Sequence, residues 1–270
     1  MWSNSIDMKH ILVPIGSTES AKNSLQYAID FASVIQAKVF VFRAYSGLNK
    51  AGAMIDVNAI LERETNLYIK TMVDAVDRRD VEVVMVAARG NVVDSVASIN
   101  NELGIDLIIV GAKSNSFKEE LFLGKTAGSL VKQTKIPLLT VPEHFKFTPI
   151  KNVQLAFKSG IIENKSAIAP LSFLKDKFQA SLNLLFVKTP SFTEADGVID
   201  ESLDGLKDTL TNSENATTYQ GVLEHLNSAT PDLLCVFTRK RGFFQKLLEK
   251  NTIKKEEFFV NIPLLILKGA

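Results

Sequence analysis

The sequence states one pattern twice, and that constrains its fold more than any other feature. Asp106-Leu107-Ile108-Ile109-Val110-Gly111 is answered by Asp232-Leu233-Leu234-Cys235-Val236-Phe237. Lys135-Ile136-Pro137-Leu138-Leu139 is answered by Asn261-Ile262-Pro263-Leu264-Leu265. Both pairs lie 126 residues apart, whereas Lys9-His10-Ile11 and Lys151-Asn152-Val153 lie 142 apart. The second copy is therefore shorter in its middle by 142 − 126 = 16 residues and keeps its two ends. A repeat this long describes two domains of one fold rather than a solenoid. With 270 residues, each half is long enough to bury a core of its own.

Within the first half, apolar runs alternate with helical spacing. Ile11-Leu12-Val13-Pro14-Ile15 reads as a buried strand closed by Gly16-Ser17-Thr18. Leu25, Ala28, Ile29, Ala32 and Ile35 then share one helical face. Val39-Phe40-Val41-Phe42 is a second strand, residues 56–78 a long helix, residues 81–88 a third strand, and Val92–Leu103 another helix. Leu107-Ile108-Ile109-Val110 is a fourth strand, followed by a helix over residues 126–133 and a last strand, Leu138-Leu139-Thr140-Val141. Strands that are apolar throughout and alternate with helices predict a parallel sheet covered on both faces. Ligands of such sheets sit at the carboxyl ends of the strands, near a switch in strand order. Those ends are Ile15-Gly16, Ala44-Tyr45 and Gly111-Ala112.

Residues 143–150, between Pro142 and Pro149, read as the linker. The second half then repeats strand, helix, strand, with strands at Val153-Gln154-Leu155-Ala156-Phe157 and over residues 182–187. Residues 190–218 are polar and weakly patterned; a shortened helix is expected over about residues 194–210. A further helix is expected to start at Leu223-Glu224-His225-Leu226, before the strand Leu233–Phe237.

Bulk properties exclude several classes. A net charge of +1 sets up no global field toward nucleic acid or an anionic membrane. No apolar stretch approaches the length of a membrane span. The one Cys cannot form an internal disulfide, and the start, Met1-Trp2-Ser3-Asn4-Ser5, does not have the pattern of a signal peptide. A cytoplasmic protein is expected. His10, His144 and His225 lack ligand-like spacing, so no zinc site is expected. Cys235, mid-strand, is expected to be a buried small hydrophobe. Ser17, Ser20 and Ser24 have no acid and base placed beside them by any motif, which leaves no triad. Lys254-Lys255-Glu256-Glu257 reads as a solvated helix face. Phe145, Phe147, Phe243-Phe244 and Phe258-Phe259 read as core or domain-interface packing.

The local candidate for chemistry is Gly111-Ala112-Lys113-Ser114 followed, after nine residues, by Gly124-Lys125-Thr126. One Gly closes a strand and the other opens a helix. Backbone N–H groups at a helix start favour a phosphate, and Gly lets it approach closely. A P-loop would need Gly where Glu119 stands, with Glu120 beside it, and it would follow a strand, so a Walker-type NTPase is excluded.

Taken together, the chain resembles a tandem universal stress protein, with two such domains in one polypeptide. Ile11-Leu12-Val13-Pro14-Ile15 is similar to that family's opening strand. Asp106-Leu107-Ile108-Ile109-Val110-Gly111 is similar to its D-L-I-V-x-G strand, and Ile136-Pro137-Leu138-Leu139-Thr140-Val141 to its closing P-V-L-x-V strand. The resemblance implies an α/β class: two tandem domains, residues 1–147 and 148–270, each a five-stranded parallel sheet sandwiched by helices and related to Rossmann-like nucleotide-binding folds. It also implies that the two domains pack as a pseudo-dimer, edge strand Leu138–Val141 against edge strand Leu264–Leu267. An exposed apolar edge strand does need a partner.

ATP-binding members of the family carry G-x2-G-x9-G-[ST]. Here Gly111 and Gly124 match, Ser114 replaces the middle Gly, and Lys125 then Thr126 occupy the last place. The family's Asp after the first strand, on the ribose side, is replaced by Gly16, and its adenine contact after the second strand by Ala44. The implied site comprises Pro14, Ile15, Gly16, Ala44, Val110, Gly111, Ser114, Gly124, Lys125 and Thr126. Its ligand would be ATP or AMP, with no metal beyond the Mg that accompanies a nucleotide. The aligned positions of the second half, Thr238, Arg241, Asn251 and Thr252, keep only the last Thr, and Gly242 lies one place beyond Arg241. Arg239-Lys240-Arg241 reads there as a solvated turn, or alternatively as a site for an anion or an acidic partner. The S-G-G-x-D-S and H-x-G-H signatures of related ATP-using enzymes are absent, so no catalytic residue is expected. Two functions follow: a nucleotide-responsive stress protein with little or no turnover, or a stress protein that acts through a protein partner or another small ligand. Neither nucleic acid nor membrane is an expected partner, and a further homodimer is compatible with the chain.

Overall fold

A computed structural model describes residues 7–16, 20–47, 56–112, 124–238 and 262–269. The first half runs β1 (His10–Pro14), α1 (Ser20–Ile35), β2 (Lys38–Tyr45), α2 (Val57–Asp74), β3 (Val83–Arg89), α3 (Val92–Leu103), β4 (Leu107–Gly111), α4 (Gly124–Gln133) and β5 (Leu138–Val141). The second half runs β6 (Asn152–Phe157), α5 (Ala169–Phe178), β7 (Ser181–Lys188), α6 (Glu201–Asp204), β8 (Thr209–Glu214), α7 (Thr218–Ala229), β9 (Leu233–Phe237) and β10 (Leu264–Leu267). Single 3₁₀ turns at Lys165–Ile168 and Glu194–Gly197 complete it.

Among the described residues, ten strands join one sheet in the order β3-β2-β1-β4-β5-β10-β9-β6-β7-β8. The second half thus repeats the strand order of the first. Every pairing within a half is parallel. The seam between the halves is antiparallel, with Thr140, Leu139 and Leu138 opposite Leu264, Leu265 and Ile266. The apolar strand pattern has its expected cause: one core covers the face under α1, α2 and α5, the other the face under α3, α4 and α7. Both cores contain residues of β5 and β10, so neither stops at the seam. Lys268 adds a polar tie, donating from Nζ to the carbonyl of Val131 in the last turn of α4.

The repeated Asp has a structural task. The Asp106 carboxylate accepts from the backbone N–H groups of Lys9 and His10, both at 2.9 Å. Asp232 does the same for Lys151 at 2.9 Å and Asn152 at 2.8 Å. Each Asp therefore fixes the start of the central strand of its half against the neighbouring strand.

Residues 143–150 do not hang loose. Asn23 on α1 donates to the carbonyls of Pro142 and Phe145. Phe147 packs edge-on against Tyr27 and Phe31 and lies 6.2 Å, ring to ring, from Phe178 on α5. Phe145 lies 6.3 Å from Tyr27, so these aromatics join α1 to α5. Buried among them, the Tyr27 phenol has its pKa pushed well above the ordinary tyrosine value.

The polar stretch of the second half departs from expectation. In place of a helix over residues 194–210 there are two single turns and an edge strand, β8. The 18-residue α2 is answered only by the 4-residue α6, which accounts for most of the missing length. α7 begins at Thr218, earlier than Leu223, because the Thr217 hydroxyl caps it at the Gln220 N–H. Among the described residues, no helix is long and apolar enough to cross a membrane.

Candidate functional site

The strand order reverses direction at β1: β2 lies on one side of it and β4 on the other. That is the switch point at which an open parallel sheet leaves a crevice beyond its carboxyl ends. β1 pairs Ile11 with Leu107 and Leu12 with Ile108, a register that brings Ile15 level with Gly111 when continued. Pro14 carries no N–H and closes the β1 ladder. The Ile15 N–H makes a last bond to the Phe42 carbonyl at 2.8 Å, and Gly16 emerges exposed at the rim. Across the crevice, the Ala112 N–H bonds to the Val141 carbonyl at 2.8 Å, which anchors the end of β4 and leaves Gly111 half-buried. Val110 is buried beneath it. Ala44, near the end of β2, is half-buried against the core on the α3–α4 face.

α4 opens at Gly124, and Thr126 in its first turn is exposed. The backbone of Gly124 and Lys125 thus forms a helix start in the chain that leaves β4. Free N–H groups at such a start suit an anion. Ser114 lies outside the described residues. So do Ser17, Arg239-Lys240-Arg241, Gly242, Asn251, Thr252, Phe243-Phe244, Phe258-Phe259 and Lys254-Lys255-Glu256-Glu257.

Two residues not singled out from the sequence complete the rim. Tyr68 on α2 donates its hydroxyl to the Gly16 carbonyl at 2.8 Å. Arg43 on β2 donates from Nη1 to the same oxygen at 3.3 Å, and its guanidinium lies 3.8 Å from the centre of the Tyr68 ring. A signal was present: Arg43 is the one charge after four apolar residues in Val39-Phe40-Val41-Phe42-Arg43. Beside it, the pKa of Tyr45 is raised by desolvation and by Glu62, which also holds its hydroxyl, against a lowering by Arg89. The rim is uneven. One side has a glycine strand end and a helix start, while the other offers no carboxylate at position 16 and a carbonyl already accepting two donors.

In the second half the equivalent rim is crossed by its own chain. The Gly160 N–H donates to the Asp196 carbonyl at 2.8 Å, and the Asp200 N–H donates to the Gly160 carbonyl at 3.0 Å. Asp196 accepts from the Thr193 hydroxyl at 2.7 Å and its N–H at 2.9 Å. The Thr193 hydroxyl, with the Ser159 hydroxyl and Lys158 adding to it, holds the Asp196 carboxyl below the usual carboxylate range. Phe192 packs on Phe186 with ring centres 5.9 Å apart. A Cβ on Gly160 would stand 2.5 Å from the Val198 oxygen and 2.6 Å from the Ile199 Cα. Gly160→Ala should therefore push this strap away and lower stability by about 1–3 kcal/mol. Thermal melts check this; an unchanged Tm would mean that the strap does not hold this position.

The remaining candidates play structural parts. His10 sits at the start of β1 with Nδ1 within 2.8 Å of the Leu103 carbonyl, and His225 bonds the Gly221 carbonyl within α7. His144 is exposed. Cys235 is fully buried, and burial pushes its thiol far above the ordinary cysteine value, so it is no nucleophile at neutral pH. The buried Ser24 hydroxyl donates to the Ala21 carbonyl. Among the described residues, no group of three or more His, Cys, Asp or Glu is placed to hold a metal.

The model of the universal stress protein family matches residues 8–142. A universal stress protein from Archaeoglobus fulgidus superposes with a TM-score of 0.70 at 16% identity, over 98% of this chain and 100% of that one. A functionally unknown protein from Pseudomonas aeruginosa superposes with a TM-score of 0.58 at 14% identity, over 97% of this chain and 93% of that one. At such identities the likeness speaks for the fold alone. No curated protein matches the sequence.

Proposed function

The chain belongs to the universal stress protein family, and from that premise we propose that its first half, residues 1–147, binds an adenine nucleotide (ATP or AMP) with little or no turnover. The carrying observation is the crevice at the β1–β4 switch point, with Gly111 on one wall and α4 opening at Gly124. The phosphates lie against Gly111, Ser114, Gly124, Lys125 and Thr126, with any Mg carried by the nucleotide. The base and sugar lie toward Pro14, Ile15, Gly16, Ala44 and Val110. Binding works as a signal by favouring one shape or partnership of the chain over another. Residues 148–270 form the second domain and pair with the first as a pseudo-dimer, a reading supported by the β5–β10 seam. We read no catalytic constellation among the described residues. A single, buried Cys is in keeping with a cytoplasmic setting.

Calorimetric titration of the wild type and Gly124→Asp with ATP and AMP tests the site. A carboxylate at the helix start repels a phosphate, so the variant should lose at least about a hundredfold in affinity with its Tm unchanged. Equal affinity in the two proteins would remove the site as drawn. The saturated Gly16 carbonyl favours a second reading, in which the chain binds no nucleotide and acts through a protein partner. Absence of binding by the wild type decides for it.

A further inference from the structure

The sugar side of the crevice has the wrong chemistry for an unmodified ribose. Ribose hydroxyls are donors that suit a carboxylate acceptor, whereas an Arg in that neighbourhood suits a phosphate on the ribose. Position 16 has no side chain to accept. Its carbonyl already takes the Tyr68 hydroxyl at 2.8 Å and the Arg43 Nη1–H at 3.3 Å. What the rim offers instead is the guanidinium of Arg43. It is half-buried, and the Tyr68 ring lies 3.8 Å beneath it. Stacking of this kind holds the fork of donors in one orientation before any ligand arrives. Among the described residues, Arg43 takes part in none of the ion pairs. The nearby carboxylates of Glu62 and Asp56 act on Tyr45, beside Arg89. A planar, preorganised cation that makes no ion pair among the described residues is a receptor for phosphate.

Resting on the nucleotide reading above, we propose that the site selects an adenine nucleotide carrying a second phosphate on its ribose, at the 2′ or 3′ position, which Arg43 reads while the start of α4 holds the 5′-phosphate. Gly16 serves this arrangement twice. Having no side chain, it leaves room for the phosphate, and its carbonyl orients Arg43. The sugar-side specificity is thus the charge inverse of a site built around an acidic residue.

The test is calorimetric titration of the full chain with AMP, adenosine 2′,5′-bisphosphate and adenosine 3′,5′-bisphosphate at one salt concentration. For the wild type, one bisphosphate should bind at least about tenfold tighter than AMP. Arg43→Gln should erase that gap, whereas Arg43→Lys should retain part of it. Tyr68→Phe keeps the stack, loses one bond to Gly16 and should keep the preference, which separates ligand reading from a general loosening of the rim. AMP binding as tightly as or tighter than both bisphosphates would overturn the role of Arg43 and leave the nucleotide reading standing. A bisphosphate preference that survives in Arg43→Gln would do the same. Failure of all three ligands to bind would overturn the role of Arg43, and failure of ATP along with them would overturn the nucleotide reading as well.

Discussion

Leu265→Asp is expected to unfold both halves of the chain together. Leu265 lies opposite Leu139 in the antiparallel seam, and both side chains are fully buried. The core on the α1–α2–α5 face passes through this pair from one half to the other. A carboxylate there has no cationic partner, and a buried unpaired charge costs at least about 4 kcal/mol. That is a large part of the about 5–15 kcal/mol by which ordinary proteins are stable. Because the packing is continuous, the loss is not confined to the second half. Urea melts followed by circular dichroism should show one transition in the wild type and, in the variant, one transition at much lower denaturant. Two separate transitions, with the first half melting as in the wild type, would mean that the seam contributes little to either half.

The second large effect concerns the repeated Asp. Asp106→Ala removes the acceptor of two backbone N–H groups at the head of β1, and Asp232→Ala does so at the head of β6. Hydrogen bonds to a charged group contribute about 1.5–3 kcal/mol each, so each variant should lose roughly 3 kcal/mol or more. Asn, which keeps one carbonyl acceptor, should lose less at either position. A loss below about 0.5 kcal/mol, the level of an ordinary surface change, would show that water replaces the carboxylate without cost. Neither variant touches the crevice rim, so nucleotide affinity at low temperature should be unaffected.

The same Asp explains why so much of the fold was legible. Continuous apolar runs such as Leu107-Ile108-Ile109-Val110 have one stable use, a strand covered on both faces, and their repetition places the second half as well. β8 escaped because it is an edge strand of Thr, Asn, Ser and Glu with Leu210 exposed. An edge needs no apolar faces, and charge there discourages unwanted pairing. The helix expected over residues 194–210 failed because the shortening of the second half falls on the counterpart of α2 and leaves too few residues for more than single turns. At the rim, the placing of Pro14, Ile15, Gly16 and Gly111 at strand ends was legible since strand ends and turn glycines mark the carboxyl edge of a parallel sheet. The stack of Arg43 on Tyr68 was not, because it joins β2 to α2 through side-chain geometry that periodicity does not encode. The strap over Gly160 was hidden for the same reason, being built from backbone bonds of an unpatterned loop.

The central claim, that the first half is a nucleotide receptor, is met most directly by what the protein carries. It should be purified without added nucleotide, denatured, and the released small molecules identified by chromatography and mass spectrometry. The emptied protein should then be titrated with ATP, AMP and the adenosine bisphosphates. The account predicts about one adenine nucleotide per chain, recovered on release or on titration, since among the described residues of the second half the strap of residues 196–200 crosses the rim at Gly160. An empty protein that gives no heat with any of the four would contradict it and turn the search to protein partners.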